Sequence, residues 1–284
     1  QLENPLAYHA SAASGFIYGS RRYRAVFFRL GRLLGPVYAV YQKRLMRNLR
    51  KGPIPHHLAV IMDGNRRFAE QLGLAPHEGH LRGQGKLEEM MEWCQEMGIR
   101  VLTVYAFSTE NLDRPKGELE TLMDLFADAF RQVGDDPRIH GNRVRVCALG
   151  HRELLPERVR DAIAYAEERT AHYEDYRYNI AVAYGGRQEI IQAMRQLARK
   201  VQNGELAPDD IDTAQVTQHL YTGDLPDPDL ILRTSGEERV SNFLLWQLAY
   251  SEFYFADVYW PALRKVDFLR AIRAYQQRQR RRGR

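Results

Sequence analysis

HLAVIMDGNRRFA, the run from His57 to Ala69, joins a strand, a turn and the start of a helix. Four apolar residues from Leu58 to Ile61, followed by Met62, are too few for a helix and predict a buried strand. Asp63 and Gly64 then turn the chain. The next residues open a helix whose free N–H groups and positive dipole end suit an anion. The run therefore predicts chemistry at the carboxyl end of a strand.

The charged residues of this run indicate what that chemistry is. Asp63 is followed closely by Arg66 and Arg67. A carboxylate can hold Mg²⁺, and guanidinium groups bind phosphate oxygens in pairs, so the set suggests a metal-assisted diphosphate site. An Asp-Gly turn is also common after strands, and surface arginines often have no special role. Taken alone, the run leaves a plain turn open.

Length and composition indicate one large domain with an N-terminal extension. The 284 residues can bury a single large core. No stretch of about 18 uncharged apolar residues is present, so we expect no integral membrane protein. Cys94 and Cys147 show neither CxxC spacing nor a half-cystine pattern, which predicts reduced thiols and a cytoplasmic location.

Positive charge is concentrated near the N-terminus. Ten Lys or Arg and no acid lie between Arg21 and Lys51, so the rest of the chain carries a net charge of −5 and nucleic acid is not an expected partner. Apolar residues from Tyr23 to Leu49 recur at three- and four-residue steps, which predicts an amphipathic helix broken at Gly35 and Pro36. This basic extension, residues 1–52, suits a peripheral contact with an anionic membrane. Packing of the stripe on the body, or a transit peptide, is also open.

After residue 52, short β-rich runs alternate with helical patterns, which predicts an open α/β sheet with crossover helices. The predicted strands are Leu58–Met62, Val101–Phe107, Val144–Leu149, Asn179–Ala183, Leu230–Leu232 and Phe253–Val258. The predicted helices are Gly83–Met97, Gly117–Val133, Pro156–His172, Arg187–Gln202, Thr213–Tyr221, Val240–Tyr250 and one that begins at Val266.

Polar residues follow three of these strands at their carboxyl ends, where open α/β sheets bind ligands. Asp63 follows the first strand, Ser108 to Arg114 follow the second, and Arg233 to Gly236 follow the fifth. We expect these segments to meet in one crevice. Its mouth would be polar, whereas the helices beside it are rich in Leu, Met and Phe.

Five motifs in this order carry a family resemblance: MDGNRRFA, YAFSTEN with Arg114, YGGR, RTSGE and RVSNFLLWQLAYSEFYF. From about Pro53 to the C-terminus, residues 53–284, the chain resembles the cis-prenyltransferases, the family of undecaprenyl and dehydrodolichyl diphosphate synthases. The double arginine is closest to archaeal-type and eukaryotic members. The resemblance implies a mostly parallel six-stranded sheet with a hydrophobic tunnel. It also implies Mg²⁺-dependent condensation of isopentenyl diphosphate onto farnesyl or geranylgeranyl diphosphate, giving a long Z-polyprenyl diphosphate for a glycosyl carrier lipid.

The resemblance also implies a role for each site residue. Asp63 would bind Mg²⁺ and share it with Glu252, and Asn111 beside Ser108 would orient a water or the substrate, since an amide is a poor base. The allylic diphosphate would lie on Gly64, Asn65, Arg66, Arg67 and His80. The diphosphate of isopentenyl diphosphate would lie on Arg233, Arg239 and Ser241. Further substrate contacts would be Phe68, Thr109, Glu110, Leu112, Arg114 and Val240.

Several of these assignments have plainer alternatives. Asn111 is also a good helix cap, Glu252 a good surface acid, and YGGR at Tyr184 a plain turn. Pro76 stands where the family has an arginine, which removes one diphosphate contact. The expected tunnel residues are also ordinary core candidates: Met90, Met91, Trp93, Leu119, Leu122, Met123, Leu125 and Phe126.

The resemblance further implies a homodimer in which Arg281, Arg282 and Gly283 reach the partner's diphosphate site. The alternative function is a non-catalytic stabilising subunit of a heteromeric prenyltransferase. Such subunits lose the Asp-Gly-Asn segment and the arginines of the second diphosphate site, and this chain keeps both.

Overall fold

A six-stranded sheet forms the centre of the computed structural model, which describes residues 40–279. The strand order is β3-β4-β2-β1-β5-β6, and every pairing is parallel. All the strand ends that carry polar residues therefore meet at one edge, as predicted. The strands are β1 His57–Ile61, β2 Val101–Ser108, β3 Val144–Leu149, β4 Tyr176–Tyr184, β5 Leu230–Arg233 and β6 Glu252–Phe255.

Helices cover both faces of this sheet, as the alternating pattern predicted. The longest, Pro76–Met97, begins seven residues before the predicted Gly83, because Pro76 occupies its first turn and the Glu78 carboxylate accepts the Ala75 N–H at 2.9 Å. The helices are α1 (residues 40–49), α2 Asn65–Gln71, α3 Pro76–Met97, α4 Lys116–Asp135, α5 Pro137–Gly141, α6 Glu157–Thr170, α7 Gly186–Gln202, α8 Thr213–Gln218 and α9 Lys265–Gln279.

The predicted helix Val240–Tyr250 is wrong. Ser241, Asn242 and Leu244 have φ angles of 48°, 64° and 45°, which lie outside the right-handed helical region. Only a short 3₁₀ turn, Gln247–Tyr250, follows them. The segment is a loop folded against the start of α7, where the Gly186 N–H donates to the Asn242 carbonyl at 2.6 Å.

Two strand ends differ from the prediction by three residues, and the other ends agree to within one residue. β4 begins at Tyr176 rather than Asn179, because Tyr176 already pairs with Val144 of β3. β6 ends at Phe255 rather than Val258, because the chain beyond it pairs with the turn after β5: Gly236 N–H donates to the Ala256 carbonyl.

Alternate residues of each strand enter two separate apolar cores. In β1, Leu58 and Val60 face a large core formed with α3, α4, α6 and α9, whereas Ala59 and Ile61 face a smaller one that contains Tyr105, Tyr184 and Phe243. Both cores meet the sheet near its carboxyl edge. The polar residues at that edge are therefore held by two packed layers.

The N-terminal apolar stripe packs on the body where the structure describes it. In α1, the side chains of Leu45 and Leu49 are buried in the large core. Gln276 of α9 donates to the Leu49 and Pro53 carbonyls at 2.7 and 2.9 Å. The predicted helix from Tyr23 to residue 39 and the tail motif Arg281 to Gly283 lie outside the described residues. Within residues 40–279, no helix has the length and apolar character needed to cross a bilayer.

Candidate active site

Asp63 lies at the centre of a charged cluster at the carboxyl edge of the sheet. Its Oδ1 accepts from Arg67 Nη2 at 3.0 Å, and its Oδ2 accepts from Arg233 Nη2 at 2.8 Å. Partial burial alone would raise the pKa of Asp63, but the hydrogen bonds and charges of the two arginines lower it below its ordinary value. The carboxylate is therefore charged at neutral pH.

The backbone of Asp63 is fixed by Thr234, a residue of the predicted crevice for which the sequence indicated no role of its own. The Thr234 hydroxyl is fully buried, accepts the Asp63 N–H at 2.9 Å and donates to the Asp63 carbonyl at 2.7 Å. The next residue, Gly64, has φ of 106°, and a Cβ there would lie 2.6 Å from Tyr259. Only glycine fits this turn without strain.

Arg67 joins Asp63 to the RTSGE segment. Its guanidinium donates to Ser235 Oγ at 2.8 Å and to Glu237 Oε1 at 3.0 Å, and it lies 5.6 Å from the centre of the Tyr259 ring. Ser235 belongs to the predicted crevice without a predicted role, whereas Glu237 and Tyr259 were not among the predicted site residues. The RTSGE motif was a signal for the first two, whereas Tyr259 is brought in by the tertiary fold alone.

Arg233 holds the second predicted anion site together. It is 3% exposed, and its Nη1 donates to Ser241 Oγ at 2.8 Å and also to the Arg239 carbonyl. The Arg239 side chain is largely exposed and pairs with Glu237. Val240 is half-buried beside them. Because Arg233 bonds to both Asp63 and Ser241, it joins the two predicted diphosphate sites.

Three buried polar atoms of this region lack a hydrogen-bond partner among residues 40–279: Asn65 Oδ1, His80 Nε2 and Arg233 Nε. Burial, followed by the charge of Arg114, lowers the pKa of His80 to about 4, so its imidazole is neutral at pH 7. Unpaired buried polar groups are costly and concentrate where a ligand completes them. These three atoms border one cavity, which is consistent with a polar ligand there.

The segment after β2 contributes a second wall. Asn111 takes part in a capping box in which Ser108, not Asn111, is the N-cap: Asn111 Oδ1 accepts the Ser108 N–H at 3.2 Å. Its side chain nevertheless borders the cavity. Arg114 pairs with Glu118 at 2.6 Å, and Glu118 also lies 3.8 Å from the exposed Arg66.

Of the four remaining predicted contacts of this wall, Glu110 borders the cavity and the other three do not. Thr109 bonds to Glu110, and Glu110 accepts from Asn242 at 2.9 Å. Phe68 is buried, and Leu112 packs against the large core.

A polar mouth opens into an apolar cavity between α3, α4 and the sheet. The mouth encloses about 1520 Å³ and the apolar cavity about 1080 Å³, both including space open to solvent. Met62, Asn65, His80, Phe107 and Asn111 border both, so the two spaces adjoin each other. Among the expected tunnel residues, Met91, Leu122, Leu125 and Phe126 line the apolar cavity, whereas Met90, Trp93, Leu119 and Met123 belong to the surrounding core.

Glu252 does not share a metal with Asp63 inside one chain. It begins β6, level with Leu230 and Leu58, and it pairs with Arg278. Asp63 lies five residues beyond Leu58, which corresponds to about 16 Å along the strands. Among residues 40–279, no three His, Cys, Asp or Glu side chains form a ready-made metal site.

The donor set at Asp63 nevertheless fits Mg²⁺ in one way. Mg²⁺ keeps several waters and is commonly held by one or two carboxylates together with substrate phosphates. Asp63 supplies one charged carboxylate beside a cavity that also carries the arginines. The residues therefore fit a metal that arrives with a diphosphate, with Asp63 as its protein ligand.

A parallel α/β sheet with an arginine-rich edge and an adjoining apolar cavity is the arrangement that an enzyme acting on a diphosphate with a long apolar tail needs. Residues 61–283 match the family described as "Putative undecaprenyl diphosphate synthase". The chain belongs to this family and is a cis-prenyltransferase.

Named relatives agree with this assignment. The chain is 56% identical over 251 residues to the tritrans,polycis-undecaprenyl-diphosphate synthase (geranylgeranyl-diphosphate specific) of Methanopyrus kandleri, covering 88% of this chain and 93% of the relative. It is 52% identical to the protein of the same name from Thermococcus kodakarensis, covering 89% and 96%.

Solved structures share the fold. Lavandulyl diphosphate synthase from Lavandula x intermedia, in complex with dimethylallyl diphosphate, is 39% identical with a TM-score of 0.76, covering 78% of this chain and 95% of that one. A probable undecaprenyl diphosphate synthase from Campylobacter jejuni is 36% identical with a TM-score of 0.64, covering 82% and 98%.

Proposed function

We propose that the protein condenses isopentenyl diphosphate onto geranylgeranyl diphosphate, repeatedly and with Mg²⁺, to make a long Z-polyprenyl diphosphate. The observation that carries this proposal is the Asp63–Arg67–Arg233 cluster at the mouth of an apolar cavity. The primer follows the relatives named geranylgeranyl-diphosphate specific, at 52–56% identity. A glycosyl carrier lipid is the destination that we propose for the product.

The allylic diphosphate would lie between Asp63, Arg67 and His80, with its tail in the apolar cavity. When the carbon–oxygen bond of the primer breaks, negative charge collects on the departing diphosphate, and fixed arginines stabilise it where it develops. Bound Mg²⁺ would add positive charge at the same oxygens. His80, neutral at pH 7, can donate a hydrogen bond to them without a change of charge.

Isopentenyl diphosphate would lie on Arg233, Arg239 and Ser241. Its terminal carbon forms the new bond to the allylic carbon, positive charge then develops on the adjacent tertiary carbon, and a proton leaves the methylene on the other side of that carbon. An amide is a poor base, so Asn111, whose oxygen accepts the Ser108 N–H, would orient the substrate and not take the proton. We propose the released diphosphate as the acceptor.

Turnover with a panel of primers tests this function. The purified protein would be incubated with Mg²⁺, labelled isopentenyl diphosphate and, in parallel, dimethylallyl, geranyl, farnesyl or geranylgeranyl diphosphate. A ladder of products, with the highest incorporation from geranylgeranyl diphosphate, is expected. A folded sample that incorporates no label with any primer would favour the non-catalytic subunit.

We also propose that a second copy of the chain covers β6. This strand forms one edge of the sheet, and its Phe253 and Phe255 rings stack 6.0 Å apart while only half-buried. The neighbouring Tyr250 is 83% exposed. Light scattering is expected to give the mass of a dimer, and Tyr250→Asp is expected to shift it toward the monomer. A monomeric wild-type protein with full activity would contradict the dimer.

The exposed face of α1 is proposed as a contact with an anionic membrane. Five cations on or just after α1 are exposed and form no salt bridge among residues 40–279: Lys43, Arg44, Arg47, Arg50 and Lys51. Each basic residue near an anionic surface contributes about 1 kcal/mol. Reversing Lys43, Arg44 and Arg47 to Glu is therefore expected to weaken binding to phosphatidylglycerol vesicles at least 100-fold. Reversing Arg195 and Arg199 of α7 is the control, and equal loss in both variants would contradict the proposal.

A further inference from the structure

The loop of residues 239–247 is held in a backbone conformation that its residues disfavour. Ser241, Asn242 and Leu244 have positive φ angles, although none is glycine. The same loop carries Arg239 and Ser241, the proposed contacts of isopentenyl diphosphate. The contacts that fix this loop conformation therefore also set the positions of Arg239 and Ser241.

The start of α7 holds the loop from one side. The Asn242 carbonyl accepts the Gly186 N–H, and Asn242 Oδ1 accepts the Arg187 N–H at 2.9 Å. A Cβ on Gly186 would lie 2.8 Å from Leu245 and 3.1 Å from the Asn242 oxygen. The YGGR motif is therefore a close contact with this loop rather than a plain turn.

Glu189, one turn further along α7, holds the C-terminal end of the loop through Gln247. Its side chain is 2% exposed, and its Oε2 accepts from Gln247 Nε2 at 3.1 Å and from the Tyr184 hydroxyl. Its Oε1 accepts the Tyr221 N–H at 2.8 Å. Among residues 40–279 it forms no salt bridge, so hydrogen bonds alone satisfy this buried carboxylate.

Aromatic packing connects Glu189 to the ligand side of the loop. The Tyr184 ring meets Phe243 edge-on at 5.9 Å, and Phe243 stacks on Tyr105 at 4.5 Å. The Tyr105 hydroxyl donates to the Ser241 carbonyl at 3.2 Å. A shift of Glu189 would therefore reach Ser241 by two routes, through Gln247 and through Tyr184.

We propose that Glu189 is a positioning residue for isopentenyl diphosphate. It touches no substrate; it holds the 239–247 loop so that Arg239 and Ser241 face the diphosphate. The inference rests on the proposed function. Loss of a merely structural carboxylate would lower the protein's stability and change the KM values of both substrates alike. Loss of a positioning residue changes the KM of one substrate.

The variant that tests this is Glu189→Met, which keeps the length of the side chain but supplies no strong hydrogen-bond acceptor. Gln247, Tyr184 and the Tyr221 N–H then lose their acceptor, whereas a glutamine could re-form the bonds toward the loop, because the Tyr184 hydroxyl can also accept and Gln247 Oε1 has no partner among residues 40–279. The KM for isopentenyl diphosphate is expected to rise at least tenfold, with less than a threefold change in the KM for geranylgeranyl diphosphate. Equilibrium binding of isopentenyl diphosphate alone, measured by calorimetry with Mg²⁺, is expected to weaken by the same factor.

Two further variants make the test decisive. Leu197→Ala removes a buried side chain of α7 about 12 Å along the helix from Glu189, and it is expected to lower the melting temperature while leaving both KM values unchanged. Tyr184→Phe keeps the ring on Phe243 but deletes the hydroxyl, and a smaller rise of the KM for isopentenyl diphosphate is expected. This variant also carries the test if Glu189→Met does not fold. Unchanged or equally raised KM values for the two substrates would overturn the inference. Absence of turnover in the wild type would instead overturn the proposed function.

Discussion

Replacing Asp63 with Asn should strengthen diphosphate binding without metal and remove most of the gain that Mg²⁺ gives. In the free protein the Asp63 carboxylate oxygens form ion pairs with the guanidinium groups of Arg67 and Arg233, at N–O distances of 3.0 and 2.8 Å. A diphosphate that binds these arginines without metal must displace that carboxylate and then lie beside a like charge. With Mg²⁺ the same carboxylate becomes favourable, because it can hold the metal against the diphosphate.

The size of the effect follows from the geometry. Two unit charges about 5 Å apart repel by about 3 kcal/mol at an effective dielectric constant of about 20. The Asp63 side chain is 26% exposed, and solvent screening reduces this repulsion to about 1–2 kcal/mol. Since 1.4 kcal/mol corresponds to a factor of ten, Asp63→Asn should bind inorganic diphosphate about tenfold more tightly than the wild type without metal.

Calorimetry with inorganic diphosphate, with Mg²⁺ or with a chelator, measures both effects. The affinity of the wild type for inorganic diphosphate should increase on addition of Mg²⁺, whereas that of Asp63→Asn should increase little. Turnover of Asp63→Asn should be lost. Glu237→Gln is the matched control, because Glu237 also binds Arg67 but lies at the rim and should retain the Mg²⁺ effect. An Asp63→Asn protein with the wild-type Mg²⁺ dependence would refute the assignment of Asp63 as the metal ligand.

Three further predictions concern stability. Thr234→Val should lower the free energy of unfolding by about 1–3 kcal/mol in urea titrations, because the Asp63 N–H and carbonyl lose a buried partner; no change would show that water replaces it. Leu49→Ala should cost about 2–5 kcal/mol, whereas Val40→Ala, at a side chain 66% exposed, should stay within about 0.5 kcal/mol; equal losses would contradict the docking of α1. Folding lowers the pKa of Asp63, so the stability that its charged form contributes is present above the ordinary pKa of 3.8 and is lost as pH falls through the lower folded pKa. The difference in free energy of unfolding between wild type and Asp63→Asn should therefore shrink in acid. A difference that stays constant with pH would contradict the lowered pKa.

The site residues at strand ends were predictable because local sequence places them. Asp63 follows a short apolar run directly, and Arg233 closes another, so a parallel sheet brings both to one edge. The pairing of Ile61 with Arg233 confirms this arrangement. Thr234 was visible in the same motif, but its bonds to the Asp63 backbone depend on the register of two strands far apart in sequence.

One prediction failed, and another does not hold within a single chain, for reasons that lie in tertiary structure. The apolar run from Val240 has helical spacing, and only Ser241 and Asn242, residue types that form turns, hinted that the loop turns left-handed there. Glu252 lies close to Arg239 in sequence, yet the pairing of β5 with β6 places it level with Leu230, at the far end of the strands.

A crystal structure with Mg²⁺ and a non-reactive thio analogue of geranylgeranyl diphosphate tests the central claim most directly. The claim is that the charged mouth and the apolar cavity form one substrate site. The diphosphate is predicted to lie between Asp63, Arg67 and His80, with the tail along Met91 and Phe126. A diphosphate bound elsewhere, or a tail that lies outside the cavity between α3 and α4, would contradict it.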